Sequence, residues 1–390
     1  MKEFIINKYI KLRLEYKKTN LYVNGKLFNQ CKYLLVNIPE DKNEFFFNIK
    51  SIDDAEDLLG SLEEGSISSF KITPEQEFWA HSSNLQAWAE NNYDTRFLHR
   101  TIAFPLLKRL YNCGDPIAKS VFKEEIIRRY EEGSLSVKRL LLDERYIQRY
   151  VKQEFLEYFL DNNSIDTLDQ ISRSIKRNYN IEFDIDFFSL PSYSRFSLVI
   201  NRIGLIGLDL RANYLGSLPA SLFQMRILKK LFLGINNLNF LSGDIINLKS
   251  LEQLDLSDNS FNSIPQSIKE LRSLKYLNLS QNEILEVPED LIYLDSLEHL
   301  DLGFNKISHI PDSISKLKAL KFVSFARNNI STVPESISKL KHLKVLDLHY
   351  NNLDTLPPSL SHIKSLEKIY IDRQDKEKFS ESIRHLLLYS

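Results

Sequence analysis

Residues 274–296 read LKYLNLSQNEILEVPEDLIYLDS, and residues 297–319 read LEHLDLGFNKISHIPDSISKLKA. Aligned, they carry the same apolar residues, Asn and Pro at the same offsets, 23 residues apart. The register extends both ways, because Asn213, Asn236, Asn259, Asn282, Asn305, Asn328 and Asn351 are each separated by 23 residues. Apolar residues stand eight, five and three positions before each Asn, as Leu274, Leu277 and Leu279 before Asn282, or Leu320, Val323 and Phe325 before Asn328. Another follows two positions later, as Ile284 and Ile330, and a Pro follows six later in every unit but one, where Ser242 replaces it. A fixed period repeated in consecutive units is the mark of a solenoid, not of a single closed core.

Each position has a physical task. The alternating LxL is a short strand with one buried face, and the Asn amide at its end can serve the backbone N–H and C=O groups of the turn that follows. A buried backbone group left without a partner costs roughly 1–3 kcal/mol. The Pro fixes φ and stops the strand, and the IxxL spacing after it suits a short helix or 3₁₀ segment on the outer side. One unit cannot bury its leucines alone, so the units stack into a curved α/β solenoid with a parallel sheet on the concave face.

The unit resembles the 23-residue leucine-rich repeat (LRR) class of intracellular scaffolds, such as Scribble-type proteins and the plant Ras-group LRR proteins, over residues 203–373. The resemblance implies an α/β leucine-rich repeat solenoid that binds a folded protein in signalling complexes, with a small GTPase or a phosphatase subunit as the partner class. Bacterial effectors that join such repeats to a ubiquitin-ligase domain are not the expected parallel, since this sequence shows no matching catalytic segment after the repeats. The N-terminal half is similar to leader regions of uncharacterised archaeal LRR proteins.

A solenoid needs covered ends. The last unit keeps Leu366, Ile369 and Ile371 but has Gln374 at the Asn position, and SESIRHLLLYS after it is expected to form a capping helix. At the front, Phe196–Ile200 is expected to pair with the first repeat strand as a hairpin around Asn201-Arg202, and the alternation over Ile181–Phe188 extends this cap. The expected organisation is a small α+β unit over 1–60, a helical domain over 61–180 and a solenoid over 181–390 that carries its own caps.

In the first unit Ile10, Leu12, Leu14 and Tyr16 alternate with Lys11, Arg13 and Glu15, Asn24-Gly25 is a hairpin turn, and Ser51 stands three before Asp54 as a helix start. Helical patterns follow over 74–92, 101–114, 116–133 and 137–162. The two middle ones, joined by Gly114-Asp115-Pro116, resemble a single HEAT-like hairpin.

The composition, 43% hydrophobic and 26% charged, is that of a globular chain. A net charge of -1 supplies no field to draw it onto nucleic acid or an anionic membrane, so neither is expected as a partner. No stretch approaches the ~18 apolar residues of a membrane span, and a cytoplasmic location is expected. Cys31 and Cys113 have no CxxC or Cys/His spacing, which argues against a zinc site or a disulfide framework. Phosphate-loop, dinucleotide, metalloprotease, nucleophile-elbow and EF-hand signatures are absent, so no cofactor or metal is expected.

One polar cluster supports a rival reading, an enzyme with its active site in residues 60–180. Trp79, His81, Trp88, Glu90, Asp94, Arg96 and His99 lie within twenty-one residues, and the histidines could act as acid and base with Asp94 orienting. The alternative makes the tryptophans core residues and the histidines surface or capping groups. Cys113 is too far from His99 in sequence to suggest a nucleophile pair.

The residues that point away from the leucines carry the binding expectation. One column gives Tyr276, His299 and Phe322, and the column next to the Asn gives Phe304, Arg327 and Tyr350. The column four before the Asn gives Asp209, Asp255, Asp301 and Asp347, with Phe232 between the first two. His349 stands beside Tyr350. Phe232, Tyr276, His299, Asp301, Phe304, Phe322, Arg327, Asp347, His349 and Tyr350 are therefore the candidate protein-binding residues. Rings and Arg dominate the centres of protein interfaces, whereas Asp is also a common filler in such strands. The ladder asparagines are structural.

Overall fold

The computed structural model describes residues 2–29, 51–54, 72–182, 195–373 and 381–389, which form two compact units, Met1–Phe155 and Leu156–Ser390.

The first unit opens with an antiparallel meander of β1 (Lys2–Ile5), β2 (Ile10–Glu15), β3 (Lys18–Val23) and β4 (Lys26–Leu27). Ile10 and Leu12 are buried on one face, and Asn24 and Gly25 both adopt positive φ in the turn before β4. Tyr16 departs from the expected alternation. Glu15 pairs with Lys18, so Tyr16 and Lys17 form the two-residue turn, both at positive φ, and the Tyr16 ring is fully exposed. The helices that follow are α1 (Pro74–Glu90), α2 (Arg100–Cys113), α3 (Pro116–Glu132) and α4 (Leu135–Asp143), then a π-helical turn, Ile147–Val151, leading into α5 (Lys152–Phe159). Gly114 ends α2 in the left-handed conformation, and Asp115 caps α3 by accepting from the Ala118 N–H at 2.9 Å, with Pro116 at the first helical position. Ser51 accepts from the Asp54 N–H at 3.2 Å as its spacing suggests. The rest of that segment lies outside the described residues, as does Cys31.

The second unit is a leucine-rich repeat solenoid, built on an eleven-stranded sheet running from β5 (Asn180–Glu182) to β15 (Leu387–Tyr389). The cap hairpin is β6 (Ser197–Asn201) antiparallel to β7 (Gly204–Asp209), with β5 parallel to β6. The repeat strands β8 (Lys230–Phe232), β9 (Gln253–Asp255), β10 (Tyr276–Asn278), β11 (His299–Asp301), β12 (Phe322–Ser324), β13 (Val345–Asp347) and β14 (Lys368–Ile371) continue parallel from β7. Outside each lies a 3₁₀ segment, such as Glu289–Tyr293 or Asp312–Lys316, with its buried Leu291 or Ile314 facing the leucines. Pro begins these segments, and Ser242 does the same by another route: its hydroxyl accepts from the Asp244 N–H at 3.2 Å.

The asparagines form a ladder between repeats. The Asn282 amide donates to the carbonyls of Leu279 at 3.0 Å, Ser280 at 3.2 Å and, one repeat back, Leu256 at 3.0 Å. Its Oδ1 accepts from the Phe261 N–H at 3.0 Å. Asn305, Asn328 and Asn351 repeat the pattern, so each amide ties its own turn to the preceding repeat. Gln374 lies outside the described residues; on the rim beside the ladder, the Asp372 carboxylate accepts from the Tyr350 N–H at 2.9 and 3.0 Å, where earlier repeats use a backbone carbonyl.

The end caps differ from expectation in one respect. The described residues of SESIRHLLLYS form no α-helix; a 3₁₀ turn, Glu381–Leu386, leads into β15, which adds to β14 in parallel. The helical spacing of Ile383 and Leu387 is overridden because the open edge of β14 offers a row of backbone partners. At the other end, α6 (Asn162–Ile175) buries Ser164, Thr167, Leu168 and Ile171 along one stripe and packs on the 3₁₀ segment Ala220–Gln224. It therefore covers the first repeat.

Candidate functional site on the concave face

In each repeat strand the leucines point inward and the residues between them face the concave side. The parallel register sets these residues directly opposite one another. One column runs Tyr276, His299, Phe322, Val345, and the next runs Asp255, Asn278, Asp301, Ser324, Asp347.

In the first column three rings stack face to face. His299 lies between Tyr276 at 4.2 Å and Phe322 at 4.1 Å, with planes within 8° and 2° of parallel. Strand spacing of about 4.8 Å brings the rings to stacking distance without strain. Burial in this stack pushes His299 down to about 4, so the imidazole is neutral near pH 7, and it raises the Tyr276 hydroxyl as well. Val345 extends the row. It carries no ring and so lacks the aromatic signal of its neighbours, although its 23-residue spacing from Phe322 marks the column.

The second column is acidic and is partly engaged in local structure. Asp301 accepts from the Gly303 N–H at 2.9 Å, Asp255 from Ser257 at 2.9 Å, and Asn278 plays the same part for Ser280 at 2.9 Å. Asp347 is paired with the His349 imidazole. Each carboxylate thus pins the turn two residues on, which accounts for the type of residue without calling on a partner. Burial pushes the Asp301 carboxyl up to about 6, opposed by the Gly303 hydrogen bond and reinforced by the carboxylates of Asp347 and Asp255.

The third row lies on the rim, next to the ladder. Ala212, Ile235, Asp258, Gln281, Phe304, Arg327 and Tyr350 all have φ between 49° and 57°. Their N–H groups reach across to the next repeat, as Phe304 to Ala326 at 2.7 Å and Arg327 to His349 at 2.8 Å, and these bonds hold non-glycine residues in the left-handed region. The Arg327 guanidinium sits between two rings, its Cζ 3.9 Å from the centroid of Tyr350 and 4.9 Å from that of Phe304. Phe304 and Tyr350 are 49% and 47% exposed, and His349 meets Tyr350 edge-on at 5.0 Å.

Phe232 corrects the sequence reading. It occupies the concave column but is fully buried, packed with Val199 and Ile206 and lying 5.1 Å beneath the Arg211 guanidinium. Arg211 is itself buried on Asp209 at 2.7 Å. The cap hairpin thus closes this end of the face, and the accessible rings lie in the later repeats.

The polar cluster of the first unit is dispersed into local roles. Trp88 is buried against Tyr93, whereas Trp79 is 52% exposed and therefore not the core aromatic the pattern suggests. His81 is buried beside Glu77, Asp94 holds Arg96 and Arg128, and His99 contacts Thr101 at 2.7 Å. Asp94 orients neither histidine. Among the described residues no group of His, Cys, Asp and Glu could hold a metal ion, and no helix is long and apolar enough to cross a membrane.

The leucine rich repeat family model matches residues 204–261, 244–284, 272–330 and 323–375, which is the array of ladders and strands just described. Among solved structures the chain is similar to an LRR protein of Leptospira interrogans, with 32% identity over 50% of this chain and 53% of that one and a TM-score of 0.46. It is also similar to a plant peptide hormone receptor, RGFR1 in complex with RGF2, with 28% identity over 45% of this chain and 28% of that one and a TM-score of 0.37. Internalin C2 of Listeria monocytogenes is 20% identical over 55% of this chain and 94% of that one, with a TM-score of 0.41. The chain spans about half the length of the Leptospira protein and less than a third of the receptor. No curated protein matches it.

Proposed function

We propose that this protein is an interaction adaptor that binds a folded protein partner on the concave face of repeats four to seven. The observation that carries the reading is the pair of aromatic rows, Tyr276–His299–Phe322 and Phe304–Arg327–Tyr350, on either side of a polar column. Half-exposed rings on a solvated sheet gain nothing until something covers them, and rings with Arg among them are the side chains that dominate interface centres. The scale agrees: repeat strands ~4.8 Å apart line a surface that fits a small domain better than a metabolite. A small GTPase or a phosphatase subunit in cytoplasmic signalling is the partner class we favour, on the likeness of the repeats to Ras-group LRR proteins. No nucleic acid or membrane is needed, since the chain carries a net charge of -1.

Hydrogen exchange of the full chain with its captured partner tests this. Protection is expected along the strands and rim between 276 and 350; protection confined to residues 72–155, or to the 3₁₀ side of the solenoid, would contradict it.

A further inference from the structure

Several lysines of the array pair with glutamates of a neighbouring repeat. Lys229 and Lys275 meet Glu252 at 3.0 and 2.8 Å, Lys321 meets Glu298 at 2.6 Å, and Lys344 meets Glu367 at 3.2 Å. On the closed end of the concave face, Arg211 is likewise buried on Asp209. Arg327 differs. Its guanidinium contacts two ring faces, and among the described residues it has neither an ion pair nor a side-chain hydrogen bond. Its backbone is fixed by the rim register, at φ 54° with its N–H on His349. Two flanking rings restrain the guanidinium and leave its N–H edge open. A planar fork restrained in this way suits a two-oxygen anion and loses little freedom on binding one. A phosphate dianion would meet Asp301 and Asp347 on the strands either side of Ser324, whereas a single carboxylate carries half the charge into that field.

We infer that Arg327, clamped between Phe304 and Tyr350, receives an Asp or Glu carboxylate of the partner, which seats apolar side chains against the Tyr276–His299–Phe322 stack. This deepens the docking reading above and rests on it.

The test uses a display library of random twelve-residue peptides selected on the full chain, then titrated against Arg327→Lys, Arg327→Gln and a Phe304→Ser/Phe322→Ser double variant, each checked by thermal melt. Selected peptides should share an acidic residue beside apolar ones. They should weaken at least about tenfold on Arg327→Gln, and nearly as much on Arg327→Lys, since an ammonium offers no planar fork. Changing the peptide's Glu to Gln should cost as much on the parent chain and almost nothing on Arg327→Gln. Peptides lost on the double Ser variant but unchanged on Arg327→Gln would overturn the carboxylate assignment and leave the docking face standing. Peptides that ignore both variants, or no selected peptide at all, would overturn the carboxylate assignment and leave the docking face to the hydrogen-exchange test, and tighter binding when Glu is replaced by phosphoserine would assign the site to phosphate instead.

Discussion

The ladder asparagines act at the scale of single atoms, since each amide supplies bonds that no neighbouring side chain can replace. Asn282 serves three carbonyls and one N–H across two repeats, all buried. Asn282→Leu leaves these groups unpaired, and chemical denaturation should show a loss of about 1–3 kcal/mol with the fold retained. The concave pair His299 and Asp301 makes a second prediction at this scale. His299 is pushed down to about 4, so its folded form binds fewer protons than its unfolded form, and stability rises with pH between about 4 and 6.5. Asp301 is pushed up to about 6 and does the reverse, so stability falls as pH rises from about 4 to 6. The two slopes oppose each other in the natural chain. Asp301→Asn removes one of them while keeping an acceptor for the Gly303 N–H, as Asn278 already does for Ser280. The variant should equal the parent near pH 4 and exceed it by about 3 kcal/mol at pH 7, in melts run across that range. An unchanged difference at every pH would show that Asp301 is solvated like an ordinary surface carboxylate.

Strands, turns and caps were legible in the sequence to different degrees, for physical reasons. The strands and ladder follow from residues at fixed offsets, so the period alone set the register of Leu277 against Leu300. The left-handed rim was hidden, because Phe304, Arg327 and Tyr350 are poor residues for positive φ and only the cross-repeat N–H bonds impose it. The burial of Phe232 was equally hidden, since its cover comes from Val199, Ile206 and Arg211 outside its own repeat. The helix α6 shows the same thing at the first repeat. Its stripe of Leu168 and Ile171 packs on Ala220–Gln224, so it acts as a cap that the 23-residue pattern cannot announce. A fragment from Leu156 to Ser390 should therefore melt cooperatively, while one beginning at Ile181 should melt lower or aggregate through its uncovered first repeat. Equal melting of the two fragments would show that α6 covers nothing essential.

At the scale of the whole molecule, the solenoid aligns short strands so that side chains 23 residues apart become one surface. The columns of that surface were readable in advance, because the period that buries the leucines also fixes what faces away from them. The engagement of the aspartates was not, since it depends on turn N–H groups such as that of Gly303, which no side-chain pattern reveals. If the rings in repeats four to seven hold a protein partner, their removal must weaken its binding and leave the fold intact. The most direct measurement compares the affinity of the full chain and its Phe304→Ser/Phe322→Ser variant for a partner captured from the source organism's lysate, with a thermal melt of each. Neither ring lies in a leucine column, and Phe322 loses only its stacking on His299, worth about 0.5–1.5 kcal/mol, so the fold should persist. The partner should bind at least about thirtyfold more weakly, a loss of ~2 kcal/mol. A double variant that melts like the parent and binds the same partner with the same affinity would contradict the concave-face account.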